Sequence, residues 1–505
     1  MTKRFYVTTP LYYVNAAPHI GHSYTNVAAD CLARYHRLKG EEVFFLTGTD
    51  EHGQKLALQA KEEHLEPKAF VDRMVPRFKA LWERLSISYD DFIRTTEERH
   101  KKVVQTLLTE LYAKGELYED TYKGWYCTPC ETFWPKNQLE EGNTCPDCQR
   151  PLEEIAEKNY FLKISKYQEW LKSYIQSHDD FILPESRRNE MLSFLENPLS
   201  DLCLTRPKER LTWGIPVPFS QDHVTYVWFD ALVNYISAAG YLADPARFKT
   251  LWPADVHLVG KDILRHHAVY WPIMLHAAGL EPPQRIFAHG WWKVGEEKMS
   301  KSKGNVVDPL EMIEKYGVDP YRYFLLREVP FGLDGIFSEE ALITRLNNDL
   351  ANDLGNLVYR TLTMMEKYFG GKIPEGNGGK RLTNGNLLKS IDEKMERLQF
   401  DGALVVIWDL IRGANRFIEE SAPWKIAKAK DTKPLSSVLY TLLDTLKMVS
   451  LLAYPFIPAT AEKIWNQIGI QKKISESSFR QLEEPLIQPG ATVRKGEILY
   501  QKVET

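Results

Sequence analysis

Arg4-Phe5-Tyr6-Val7-Thr8-Thr9 opens the chain as a buried strand, a Pro-rich turn follows, and helical signals run from about His22 to Lys39. Glu42-Val43-Phe44-Phe45-Leu46-Thr47 then reads as a second strand, ending in Gly48-Thr49-Asp50-Glu51-His52-Gly53. Strand, turn, helix, strand is how a doubly wound parallel sheet begins. Further on, Thr95-x-x-Glu98 reads as a capping box, and Val103, Leu107 and Leu111 continue one helical stripe until Gly115. The pattern changes between about Lys114 and Tyr226, a stretch with four cysteines, several Trp, Tyr and Pro residues and short β-like pieces, which reads as an insertion. It returns with a strand at Val256-His257-Leu258-Val259, a helix from Asp262 to Ala278 and a strand at Ile286-Phe287-Ala288. From about Ser338 the chain turns helical. Leu342, Leu346, Leu350, Leu354, Leu357 and Val358 keep near-heptad spacing, and helical stretches to about Gln467 predict a bundle. Gly370 to Asn386 reads as a loop.

A length of 505 residues suggests about three domains and an ample core. A hydrophobic content of 44% with 26% charged residues excludes a mostly disordered chain. The net charge is −4, so nucleic-acid binding has to come from local patches and shape. No apolar run is expected to span a membrane, and Met1-Thr2-Lys3-Arg4 leaves no room for a signal peptide, so a cytosolic protein is expected. Four of the six cysteines fall in one cluster, a pattern of metal binding in a reducing compartment. Cys127-x2-Cys130 and Cys145-x2-Cys148 are fourteen residues apart, a zinc-knuckle spacing. Four thiolates close a tetrahedral site, so one structural Zn²⁺ is expected, the alternative being four free thiols.

His19-Ile20-Gly21-His22, after Pro18, lies at a strand-to-helix junction. A helix N-terminus favours an anion, both histidines can donate to phosphate oxygens, and Gly21 lets a planar ligand approach the backbone. A cap or surface histidine is the other reading. Lys298-Met299-Ser300-Lys301-Ser302-Lys303, between Gly295 and Gly304, describes a cationic loop able to close over a polyphosphate, or else a solvated lysine-rich turn.

Together these two segments are the signatures of class I aminoacyl-tRNA synthetases. Thr8-Thr9-Pro10-Leu11-Tyr12-Tyr13-Val14-Asn15, Gly48 to Gly53, Trp213-Gly214-Ile215-Pro216-Val217-Pro218, Val227-Trp228-Phe229-Asp230-Ala231-Leu232 and His289-Gly290-Trp291-Trp292 resemble the methionyl-tRNA synthetase family, from residue 4 to about 465. The resemblance implies a Rossmann-type α/β catalytic domain in two halves, 1–113 and 227–296, around a connective insertion, 114–226, with its knuckle at 127–148. A stem-contact region with the lysine loop (297–340) and an all-α anticodon-binding bundle (341–505) would follow. It implies His19, His22, Lys298 and Lys301 as the groups that stabilise phosphate charge, with Mg²⁺ on the ATP. Tyr12, Gly21, Gly260, Asp262 and Ile263 would contact ATP, with His289 and Trp292 beside the base. Leu11, Tyr13, Asp50, Trp228, Ala231, Tyr235, His267 and Trp271 would enclose L-methionine, Asp50 pairing with its ammonium. Asn356, Arg360 and Trp424 would read the anticodon.

The reaction implied is methionine activation by ATP, then transfer to the terminal adenosine of tRNA(Met), elongator and initiator alike. The 113 residues from 114 to 226 are too few for the editing module of isoleucyl, valyl and leucyl enzymes. A synthetase for another amino acid, a non-catalytic tRNA-binding paralogue and a zinc-ribbon nucleic-acid protein are the rival readings. The chain ends fifteen residues after Gly490, without the appended module that dimerises some relatives, so a monomer is expected.

Overall fold

The computed structural model describes residues 3–128, 130–134, 139, 143–146, 148–295, 297–298, 307–374, 381–383, 385–429, 431–483 and 489–504, with 297 and 298 as backbone alone. At its centre lies a seven-stranded sheet in the order Tyr12–Tyr13, Glu42–Asp50, Arg4–Thr8, Val256–Gly260, Ile286–His289 and Ile182–Leu183, with Asp91–Arg94 paired to Glu42–Asp50. Every pairing is parallel. Arg4–Thr8 is central, with Glu42–Asp50 on one side and Val256–Gly260 on the other, so the strand order reverses at its carboxyl end. Open α/β sheets bind ligands in the crevice at such a point.

Both faces of the sheet are covered, which explains why its strands are near-continuous apolar runs. Phe5, Val7, Phe45 and Leu258 face one core, while Tyr6, Phe44, Leu46 and Val259 face the other. The first core runs without a break into the helical bundle, taking in Leu350, Leu404, Leu446 and Ile464. The central sheet and the bundle therefore share apolar contacts.

Three expectations from the sequence do not hold. The segment from Lys261 to Ala278 is not one helix: a 3₁₀ turn (Lys261–Ile263) leads into a π-helical turn (His266–Tyr270) and an α-helix (Trp271–Ala278). Thr95 does not cap the Glu98–Ala113 helix; its hydroxyl accepts from the Glu51 N–H at 3.0 Å. The insertion is not wholly separate, because Ile182–Leu183 within it pairs with Ile286–His289 at the sheet edge. The rest carries a four-stranded antiparallel sheet of Thr132–Trp134, Leu117–Cys127, Glu153–Leu162 and Leu202–Cys203. The expectation that no segment spans a membrane stands: Lys433–Ala453 is long and apolar enough by composition, yet 78% of its apolar window is buried, as in a core helix.

The bundle contains Glu339–Arg345, Asn356–Phe369, Leu387–Glu396, Phe400–Ser421, Lys433–Ala453 and Pro458–Gln467. Leu342, Leu346, Leu350 and Leu354 recur every four residues, which would drift around a regular α-helix. A π-helical stretch, Leu346–Gly355, has wider turns and keeps all four leucines buried.

Candidate active site

A cavity of about 790 Å³ opens at the carboxyl ends of the central strands. On one wall the Ile20–Leu38 helix begins at His19. The His19 Nδ1 accepts from the Gly21 N–H at 3.1 Å, and the His22 Nδ1 accepts from the His19 N–H at 3.0 Å. With both Nδ1 atoms accepting, each neutral ring carries its proton on Nε2. Two N–H donors therefore stand at a helix N-terminus that has no acidic residue in its first turn. That is an anion site.

Gly260, Asp262 and Ile263 follow the Val256–Gly260 strand and line the cavity with Tyr12 and Gly21. His289 and Trp292 line it as well. The His289 Nδ1 donates to the Gly290 carbonyl at 2.8 Å, so its Nε2 accepts from the Thr25 hydroxyl at 2.7 Å. Burial holds this imidazole below its usual range, keeping it neutral.

The other side of the cavity is apolar and aromatic. Leu11, Tyr13, Trp228, Ala231, Tyr235 and His267 line it. The His267 Nδ1 donates to the Ile263 carbonyl at 2.9 Å, so its Nε2 accepts from the Tyr235 hydroxyl at 2.8 Å. Burial pushes His267 down to about 4. The Tyr235 proton is thereby committed, leaving no strong donor from this pair for a ligand. Trp271 does not line the cavity. It is fully buried behind Tyr235, with ring centroids 6.0 Å apart, and donates to the His257 Nε2 at 3.3 Å.

Asp50 ends its strand in register with Tyr13. It is buried, and its Oδ1 has no hydrogen-bond partner among the described residues. Burial, then Asp230 and Glu131, raise its carboxyl well above the usual carboxylate range. Asp230 itself accepts from His52 and His100, each at 2.7 Å. Burial works to raise Asp230, but the two histidines outweigh it and hold the carboxyl low. A site with an acidic pole at Asp50 and an anion-binding pole at His19 and His22 fits a molecule with a cation at one end and phosphate at the other.

Lys301 lies outside the described residues. Lys298 is described only as backbone, paired with Lys293. Lys55, Glu131, Lys261 and His266 are among the cavity-lining residues that the motifs did not point to. His266 stacks on Trp228 with centroids 3.7 Å apart, and neither ring nitrogen has a partner among the described residues. Adjacency to His267 was its only signal, and a regular helix would not turn both rings to one side.

The sulfurs of Cys127, Cys130, Cys145 and Cys148 lie within 4.8 Å of one another. Cys127 and Cys148 are 3.6 Å apart, and Cys130 and Cys145 4.0 Å. A tetrahedron with metal–sulfur bonds of about 2.3 Å has edges of about 3.8 Å. The donor set fits one metal ion.

The family model described as tRNA synthetases class I (M) matches residues 5–154 and 150–362. An anticodon-binding domain of tRNA ligase matches residues 385–504. A methionine–tRNA ligase of Caldanaerobacter subterraneus subsp. tengcongensis is 50% identical, covering 100% of this chain and 80% of its own length. The methionine–tRNA ligase of Thermotoga maritima is 43% identical over 99% of this chain and 80% of its own. The chain belongs to the methionyl-tRNA synthetase family. Among solved structures, Mycobacterium tuberculosis methionyl-tRNA synthetase bound by methionyl-adenylate superposes with a TM-score of 0.93 at 39% identity, covering 99% of this chain and 100% of that one. Its apo form gives a TM-score of 0.88 at 36% identity, covering 100% and 99%.

The family's second substrate contact would lie on the bundle. Asn356 is exposed at the start of Asn356–Phe369, and Arg360 lies one turn on. Arg360 pairs with Glu419 of the Phe400–Ser421 helix at 2.7 Å. That helix ends at Ala422, whose φ of 42° breaks it and presents Trp424, 39% exposed. An exposed aromatic ring at a helix break suits stacking on splayed, single-stranded bases, and the half-buried Arg360 lies on a helix packed beside it.

Proposed function

We infer that the chain is an ATP-dependent methionine–tRNA ligase. It joins methionine to AMP with release of pyrophosphate, then transfers the methionyl group to the 3′-terminal adenosine of tRNA(Met). The observation that carries this reading is the pairing of poles in one cavity: the Asp50 carboxylate, whose Oδ1 has no partner among the described residues, would meet the ammonium, and the Nε2–H groups of His19 and His22 would meet the phosphates. Between them the aromatic lobe suits a thioether, which is polarizable and only a weak acceptor, so it loses little where Tyr235 offers no proton. Catalysis is positioning plus stabilisation of phosphate charge, and no covalent enzyme intermediate is required.

Tyr12, Gly260, Asp262, Ile263, His289 and Trp292 would hold the adenosine, and Lys298 and Lys301 would join the two histidines on the polyphosphate. Magnesium would accompany ATP and neutralise its charge. Asn356, Arg360 and Trp424 would bind the anticodon. The boundaries 1–113, 114–226, 227–296, 297–340 and 341–505 are proposed for the functional division of the chain. Six cysteines that form no disulfide suit the cytosol.

Amino-acid-dependent exchange of labelled pyrophosphate into ATP, with each of the twenty amino acids and no tRNA, tests this reading. Exchange with methionine alone is expected. Exchange with another amino acid would keep the reaction class and sink the pocket assignment. No exchange from folded protein that still binds tRNA would favour the non-catalytic paralogue.

Zinc is proposed for the four-cysteine site, because four thiolates in a closed tetrahedron leave no open position for chemistry. Metal analysis is expected to give one zinc per chain. Cys145→Ser, which replaces a fully buried ligand, should lose that zinc and lower the melting midpoint of the insertion. A variant with full zinc content would remove Cys145 from the ligand set.

A further inference from the structure

We propose that Glu131, carried on the cysteine-bearing turn of the insertion, is a positioning residue for the amino-acid subsite. This deepens the reading above and rests on it.

Glu131 follows Cys130 and adopts a left-handed backbone, with φ of 50°. That conformation is uncommon for a residue with a side chain and persists where the surroundings hold it. Here the carbonyl of Glu131 accepts from the Tyr226 hydroxyl at 2.8 Å, at the foot of the helix that carries Trp228 and Ala231. The side chain is directed into the catalytic cavity, and the residue is 5% exposed. Its Oε1 accepts from the Tyr13 hydroxyl at 3.1 Å and from the Lys55 N–H at 2.9 Å.

One carboxylate thus fixes two neighbours of Asp50. Tyr13 is paired with Asp50 in the sheet, and Lys55 lies in the first turn of the Gln54–Glu62 helix, immediately after the Asp50–Gly53 segment. Gly53 accommodates the approach. It has φ of 113°, and a Cβ there would stand 2.5 Å from the Glu131 Oε2 and 2.5 Å from the Tyr13 hydroxyl oxygen. Glu131 touches none of the groups at the phosphate pole, so its influence falls on the ammonium end of the site.

Methionine and ATP affinities of the holoenzyme, measured separately by equilibrium binding and by pyrophosphate exchange, provide the test. Glu131→Ala is expected to weaken methionine by about tenfold or more, the scale of losing hydrogen bonds to a charged acceptor. The KM for ATP should move less than about twofold, since a local hydrogen-bond loss does not couple to distant groups. Glu131→Gln keeps an acceptor oxygen and should recover most of the methionine affinity. Tyr13→Phe removes one of the same bonds from the other end without touching the cysteine turn, and decides the matter if Glu131→Ala does not fold. It should weaken methionine, and adding Glu131→Gln to it should cost less than the two separate effects combined. Equal weakening of methionine and ATP, unchanged methionine affinity, or strict additivity of the pair would overturn the assignment. A wild-type chain that binds no methionine at all would instead overturn the functional reading.

Discussion

Asp50→Asn is expected to lower methionine-dependent pyrophosphate exchange by about a hundredfold or more while leaving the ligand-free protein more stable. The activity loss follows from removing the carboxylate assigned to the ammonium: truncating one partner of a buried charge pair costs about 2–5 kcal/mol. The stability gain follows from the empty site. Burial, together with Asp230 and Glu131, raises the Asp50 carboxyl well above the ordinary range, and its Oδ1 has no partner among the described residues. The folded protein therefore holds a proton that the unfolded chain has released once the pH exceeds the ordinary carboxylate value. By linkage, stability falls as pH rises from that value through the raised folded one. Asparagine does not ionise, so its advantage in melting midpoint should be absent at low pH, grow across that window and then level off. Methionine supplies the missing cation, so it should stabilise wild type more than Asp50→Asn, and its affinity for wild type should weaken as the pH falls. A variant that keeps more than a tenth of the exchange activity, or melts below wild type at neutral pH, would remove Asp50 from this role.

The elements legible in the sequence were those whose own residues decide them. Arg4–Thr8, Ile286–His289 and the helical run to Gln467 stand within a residue or so of where periodicity placed them, because an apolar run or stripe needs no partner to be recognised. Asp50 and the His19-to-His22 segment were legible through family motifs, and the comparisons bear out the family. What tertiary context decides was not legible. Thr95 looked like a cap, but its hydroxyl is taken by the Glu51 N–H. Ile182–Leu183 is too short to announce itself and becomes a strand only because Ile286–His289 has an open edge beside it. Glu131 sits between metal-ligand spacing and a strand, and nothing local says that its side chain crosses to the catalytic cavity.

Arg322→Ala is expected to cost about 3–5 kcal/mol in urea unfolding at neutral pH, the range for removing one partner of a buried ion pair. Arg322 and Asp30 are both fully buried, and the Arg322 Nη2 donates to the Asp30 Oδ2 at 2.6 Å. Three more of its five N–H donors go to the carbonyls of Leu85, Pro455 and Phe456 at 2.9–3.0 Å. One guanidinium thus ties the Ile20–Leu38 helix, the Val318–Arg327 helix and the turn after Lys433–Ala453. A lysine has no planar fork to reach all four acceptors, so Arg322→Lys should lose most of the same stability. Burial alone would raise Asp30, but Arg34 and Arg322, with the Ser88 donors, hold its carboxyl down to about 2. The stability it contributes is therefore complete above the ordinary carboxylate value, and is lost as pH falls toward about 2. Without Arg322 the depression shrinks, so the gap between wild type and Arg322→Ala should be widest at neutral pH and narrow in acid. Pairing the change with Asp30→Asn should cost less than the two single effects together, because the second substitution removes the charge that the first leaves unpaired. A gap that stays constant down to pH 2 would mean that packing, not charge, is what Arg322 contributes. The Ile20–Leu38 helix starts at His19 and His22, so a loosened Arg322→Ala protein should also lose exchange activity. If the ion pair acts only by anchoring that helix, saturating ATP and methionine should restore part of the lost rate.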